Sequence, residues 1–169
     1  MPFGHRVGRE PLDRARAAAG DSARLLQDVP GISLYGAGGV SSLPALHGLA
    51  DDRLRTQVDG MDLVAACPNH MNSPLSYLDP QQVGSVQVYA GVTPVSVGGD
   101  SLGGTIQMES APPEYADGEA PWRASGRVSA FHRTNGNGHG GSAAASLATE
   151  RLAFSVHGAR SEEHTSELQ

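Results

Sequence analysis

The sequence predicts an α+β domain, a small mixed sheet with short helices and glycine-rich loops, followed by a run of antiparallel strands. Three observations carry that expectation. Residues 83–90 alternate apolar and polar side chains with period two, the mark of a strand with one buried face. Asp59-Gly60 stands between two short runs of strand character, and that dipeptide favours a two-residue hairpin turn. Glycine and proline are abundant, 22 and 11 of 169 residues, which favours turns and loops over packed helices.

Taken in order, residues 11–19 are rich in Ala and Arg and are expected to form a helical turn or two, stopped by Gly20. Asp21 or Ser22 then caps a second short helix over residues 23–27, because a side-chain oxygen there accepts from free backbone N–H groups. Pro30-Gly31 ends it. Residues 32–35 read as a strand and residues 36–42 as a mobile glycine loop. Residues 53–58 and 61–64 flank Asp59-Gly60 as a hairpin. In the strand at 83–90, Val86 and Val88, with Gly84, face one way, while Ser85, Gln87 and Tyr89 face the other. Gly98, Gly99, Gly103 and Gly104 surround Asp100 and Ser101, so the backbone there must turn tightly or lie against something close, and another strand follows.

Residues 111–121 hold three prolines and read as a linker. Beyond them Trp122, Ala124, Gly126, Val128 and Ala130 alternate with Arg123, Ser125, Arg127 and Ser129. After a turn at Asn135-Gly136-Asn137-Gly138 comes a Ser/Ala strand, and a third strand sets Leu152, Phe154 and Val156 opposite Arg151, Ser155 and His157. One apolar and one polar face suits a transmembrane barrel strand, and equally a water-soluble antiparallel sheet.

The formal charge of −6 supplies no basic stripe for nucleic acid. No run of about 18 apolar residues is present, so no transmembrane helix is expected. Residues 1–20 lack the apolar core of a secretory signal peptide. Residues 161–169 resemble the translation of a sequencing-library adapter, as if the reading frame had run off its insert. Without them 15 acidic residues face 12 basic ones and the charge is −3, so part of the acidity would be artefact.

The order of these features resembles the plug domain of TonB-dependent outer-membrane receptors. The residues that carry the resemblance are Val29 with Pro30, Gly31 and Ile32, His47-Gly48, Val58-Asp59-Gly60, and the stretches 83–91 and 98–106. They cover about half the chain in one collinear run. The family's usual Arg is His47 here, and the charges common in its "IEV" strand are absent at Ser85, Gln87 and Ala90. The resemblance implies an α+β plug domain followed by the first antiparallel strands of a transmembrane β-barrel. It divides the chain into an N-terminal linker (1–20), the plug (21–112), a linker (113–121), first barrel strands (122–160), and the adapter-like tail (161–169). It also implies active uptake of a cargo across the outer membrane, the inner-membrane TonB protein as partner, and a plug facing the periplasm and the barrel lumen. No TonB-binding box is evident in residues 1–20.

Candidate chemistry lies in Cys67-Pro68-Asn69-His70-Met71. Thiolate and thioether are soft donors that suit Cu(I), and imidazole suits copper and zinc. A lone cysteine has no internal disulfide partner in an oxidising compartment. Within the receptor family the Cys-x-x-x-Met spacing of Cys67 and Met71 is similar to the plug half-site of copper receptors. The resemblance thus implies copper as transported ligand, with Cys67 and Met71 as metal ligands, His70 as an auxiliary, and no resident cofactor. Against it stands the plainer reading of a small buried Cys67, a packing Met71 and a solvated His70, in a siderophore-type receptor with no direct ligands in its plug. A soluble copper-binding β module of cupredoxin type and a structural β-domain without ligand complete the alternatives. His47, His132, His139 and His157 read as solvated or turn histidines. Gly99-Asp100-Ser101-Leu102-Gly103-Gly104 is similar to a serine-protease nucleophile motif, but Leu102 interrupts it and no histidine stands in a matching motif, so no enzyme is expected.

Overall fold

The computed structural model describes residues 4–37, 41–66, 72–99, 101–117, 120–132, 134 and 138–162. They fall into two compact units, Met1–Ala111 and Pro112–Gln169.

The first unit opens with β1 (Gly4–Arg6) and α1 (Arg9–Ala18), followed by a 3-10 turn at Ser22–Leu26. Then come β2 (Ile32–Ala37), β3 (Ser41–Leu46), β4 (Leu49–Ala50), β5 (Leu54–Val58), β6 (Met61–Leu63), β7 (Val83–Ala90) and β8 (Gly104–Ser110). A five-stranded mixed sheet runs β1-β7-β8-β5-β6, with β5 and β8 parallel and the other neighbours antiparallel. A second, three-stranded sheet runs β2-β3-β4.

Register explains the core. On β8, Ile106 pairs with Thr56 on one side and Val88 on the other, and Met108 with Val58 and Val86, so these residues share one sheet face. That face meets Leu12 of α1, Leu25 and Leu26 of the 3-10 turn, and Leu46 of β3 in one buried cluster. The opposite face is polar. Gln57, Gln107 and Gln87 form a row across it, and Arg55, Thr105 and Tyr89 another.

Several sequence expectations need correction. The glycine loop expected over 36–42 is shorter, because Gly36 and Ala37 extend β2 while Ser41 and Ser42 begin β3; residues 38–40 lie outside the described residues. β3 itself carries Pro44. That is tolerated because β4 pairs only with Ala45 and Leu46, leaving β2 as the ladder partner beside a residue with no N–H. The second helix is a 3-10 turn, with Asp21 as the cap. Tyr89 was expected on the polar side of β7 and does lie there, yet it is buried, since β1 pairs with β7 and Gly4 lies against the Tyr89 ring. The Asp59-Gly60 hairpin forms as expected, with φ of 51° and 77°, both positive as a type I′ turn requires.

Asp21 is 3 % exposed. Its carboxylate accepts from the Arg24 amide at 3.2 Å and from Ser42 Oγ at 2.9 Å, which ties the 3-10 turn to β3. Burial pushes the Asp21 carboxyl above the usual carboxylate range, and those hydrogen bonds only partly offset it. A carboxyl raised on folding stabilises the fold below its unfolded value of 3.8, and that contribution is lost as pH rises through the folded value. Asp21→Asn keeps an acceptor and a good cap while removing the charge. We expect the variant to match or exceed the parent's urea midpoint at pH 7 and to lose that advantage below pH 4. A loss of more than about 1 kcal/mol at pH 7 would show the carboxylate's charge to be needed.

The second unit begins with an irregular stretch and continues as β9 (Arg123–His132), β10 (His139–Ala148) and β11 (Ala153–Glu162), antiparallel in the order β11-β10-β9. The turn expected at residues 135–137 lies outside the described residues. β11 continues through Ser161 and Glu162, whose backbones pair with Gly140 and His139. Each strand has 10 residues. The expected alternation holds. Rows such as Ala124–Leu147–Phe154 and Gly126–Ala145–Val156 share one face, while Ser125–Ser146–Ser155 and Arg127–Ala144–His157 share the other. On the polar face Ser125 meets Ser146, and Ser129 meets Ser142, each pair at 2.7 Å.

Candidate functional site

Cys67, His70 and Met71 lie outside the described residues, and the structure is informative about the chain on either side of them. β6 runs out at Leu63, one residue beyond Asp62. The Ala66 amide donates to the Tyr77 hydroxyl at 3.1 Å. On the return side Ser73 is fully buried, its amide donates to Ser41 Oγ, and its own hydroxyl caps the Pro74–Tyr77 turn by accepting from the Leu75 amide at 3.2 Å. Leu75 then enters the core. Both stems of the 67–71 segment are therefore anchored, one by a tyrosine hydroxyl and one by a buried serine.

Beside these stems lies a cavity of about 430 Å³. Leu43, Pro44, Leu54, Leu63, Val64 and Pro74 make its apolar wall, and Asp51, Asp52, Arg55 and Asp62 its charged one. The loop from 91 to 103 contributes Gly98 and Ser101. Three chain segments thus meet at the end of the sheet opposite the Asp59-Gly60 turn. At the turn end, Asp59 accepts from the Ser110 amide and hydroxyl at 2.7 and 2.6 Å, which holds its carboxyl below the usual range and fastens the turn to the last residue of β8.

The dominant side chain at the cavity end is Arg55. Its Nε and Nη2 both donate to the Asp62 carboxylate at 2.6 Å, a bidentate fork, and its Nη1 donates to the Gly98 carbonyl at 2.6 Å. Gln57 adds a bond to Asp62 at 3.0 Å and accepts one from Gln107. The Arg55 guanidinium, with Gln57, holds the Asp62 carboxyl down to about 2. For a depressed carboxyl the stabilisation is complete above the unfolded value of 3.8 and is lost as pH falls toward 2. Carboxyl-carbon NMR is expected to show Asp62 ionised through pH 3 in the parent and titrating in the ordinary range in Arg55→Gln. A parent midpoint near 3.8 would remove the fork.

Sequence reasoning missed Arg55 and Asp62. The available signal was an arginine and an aspartate on either side of a two-residue turn, where the hairpin register sets them diagonally across the strands. Among the described residues no group of three or more His, Cys, Asp or Glu side chains is placed to hold a metal ion. His47 sits at the β3–β4 turn, its ring over Gly31, and His157 is exposed on the polar face of β11. Ser101 Oγ meets the hydroxyls of Thr93 and Thr105 at 3.0 and 3.4 Å, an arrangement with no general base in it.

A small mixed sheet with one apolar and one polar face, with the glycine-rich 91–103 loop at one end and antiparallel strands following in the chain, fits a plug domain. Residues 6–105 match the family model TonB-dependent Receptor Plug Domain, and the chain belongs to that family. Members of the family are outer-membrane transporters rather than enzymes. Comparison with curated sequences gives no match. Among solved structures, the chain is similar to the copper transporter OprC, with a TM-score of 0.74 and 25% identity over 96% of this chain and 24% of that one. It is also similar to the alcaligin outer-membrane receptor FauA from Bordetella pertussis (TM-score 0.66, 18% identity, 96% of this chain and 27% of that one). A third likeness is to the ferric enterobactin receptor PfeA (0.64, 18%, 95% and 25%). The chain spans about a quarter of the length of these structures.

Proposed function

We propose that this chain is the plug and first barrel strands of a TonB-dependent outer-membrane transporter whose cargo is copper, received by Cys67 and Met71 with His70 as an auxiliary donor. The observation that carries the reading is the Cys67-x-x-x-Met71 spacing in the sequence, supported by the anchoring of the described residues on either side, Ala66 through Tyr77 and Ser73 through Ser41. Soft donors four residues apart suit Cu(I), and anchored stems limit the entropy lost when a short segment closes on an ion. The 25% identity to a copper transporter over nearly the whole chain supports the same cargo. The polar second sheet face, with its glutamine row, suits a stopper that rests against a wet lumen and rearranges under a pull transmitted by the inner-membrane TonB protein. The 10-residue strands with one apolar face suit the wall of the outer-membrane barrel.

Copper titration of the full-length receptor, with Cys67→Ser and Met71→Ala beside the parent, tests this. Each substitution is expected to weaken binding by about 100-fold, the upper range for loss of a group that only supports a metal ligand. Unchanged affinity in both variants would reject the site and leave a receptor for a metal chelate, in which the segment only packs.

A further inference from the structure

Arg55 bridges two loops that the sequence separates widely. Its fork to Asp62 grips the strand from which the stem of the 67–71 segment emerges. Its third donor grips Gly98, 43 residues further along the chain. The approach of the guanidinium to Gly98 is close. Gly98 has φ +123°, and a Cβ on it would fall inside contact distance of Arg55 Nη1. The positive φ is what favours glycine here, since the atoms a Cβ would meet are the far end of the flexible Arg55 side chain. The 91–103 loop is held from its other side as well, where the Thr93 hydroxyl meets Thr105, itself fully buried, at 2.8 Å. The described part of the loop is thus tied at Gly98 to Arg55 and at Thr93 to Thr105.

We propose that Arg55 is a positioning residue that fixes loop 91–103 against the stem of the 67–71 segment, so that the two present one cargo-facing surface. The inference deepens the copper reading and, where it concerns affinity, rests on it. Arg55 touches no cargo in this scheme. It ties β6 at Asp62 to Gly98, and a lysine in its place keeps the charge while losing the fork and the third donor.

Two measurements on the full-length receptor separate the clasp from the copper site. Spin labels on cysteines placed at Ser96 and Val64, both exposed, in a Cys67→Ser background report the separation of loop and stem without any metal. A narrow distance distribution is expected in the parent, and a broadened one in Arg55→Gln and Arg55→Lys. Asp62→Asn, which leaves the bond to Gly98 in place, is expected to broaden it less. An unchanged distribution in both arginine variants overturns the clasp. Cu(I) titration of unlabelled parent and Arg55→Gln, both with Cys67 intact, is then expected to show about 10-fold weaker binding in the variant, with folded yield in the membrane equal to the parent's. Equal affinity in parent and variant overturns the contribution to cargo binding. Failure of the parent to bind Cu(I) overturns the copper reading instead, and the label distances still decide the clasp.

Discussion

Gly104→Ala is expected to destabilise the first unit severely, whereas Gly99→Ala is expected to be tolerated. Gly104 has φ +131° and is fully enclosed where β7 and β8 meet, paired with Ala90. A Cβ there would press into the Tyr89 carbonyl oxygen and stand 2.8 Å from Leu46 Cδ2 and 3.2 Å from the Gly91 amide. Neither backbone atom has room to withdraw, since the Gly91 amide donates to the Gly103 carbonyl and Tyr89 is held in the sheet. Backbone strain of roughly 1–3 kcal/mol adds to overpacking of about 1–3 kcal/mol. The sum, about 2–6 kcal/mol, reaches the lower end of the stability of ordinary domains, about 5–15 kcal/mol. Gly99 has φ +60° with nothing within 4 Å of a Cβ, so alanine there brings only the left-handed penalty of about 1–2 kcal/mol. Urea midpoints and folded yield of the two variants in the full-length receptor decide the point. Similar midpoints would mean that the β7–β8 junction yields where the geometry says it cannot.

The contrast between these glycines shows what was legible beforehand and what was not. A cluster of four glycines announced a constrained backbone, and the turn at Asp59-Gly60 announced a hairpin, because in both cases the constraint is local and written in residue type. β7 and β8 were readable for the same reason, through alternation along one strand. β3 was not. Ser41 to Leu46 has no period and contains Pro44, and the strand exists because β2 and β4 fold onto it. β1 is three residues without an apolar pattern, recruited by the free edge of β7, and its arrival buries Tyr89. The cavity end behaves alike. The proposed donors Cys67 and Met71 rest on sequence spacing alone, while the Arg55 clasp needs a carbonyl 43 residues away and belongs to tertiary structure alone.

On the second unit, Val156→Arg is expected to impair membrane assembly far more than Ser155→Arg, although the two positions are neighbours. Val156 shares its face with Gly126 and Ala145, and Phe154, Leu147 and Ala124 form the next row. Ser155 lies on the other face, in the serine row with Ser146 and Ser125. With lipid against the first face and water in the lumen on the second, arginine near the middle of the span costs about 2–4 kcal/mol at 156 and roughly 0–1 kcal/mol at 155. A water-soluble sheet packed on its apolar face would also resent the charge at 156, so a third variant is needed. Ala145→Leu enlarges a side chain on the same face. Lipid chains make way for it and the variant is expected to assemble at least as well as the parent. A close-packed protein core would be strained by about 1–3 kcal/mol. Folded fraction in outer-membrane preparations and urea unfolding in lipid give both comparisons. Equal losses at 155 and 156, or a marked loss for Ala145→Leu, would take the lipid away from this face and with it the reading of β9, β10 and β11 as barrel wall.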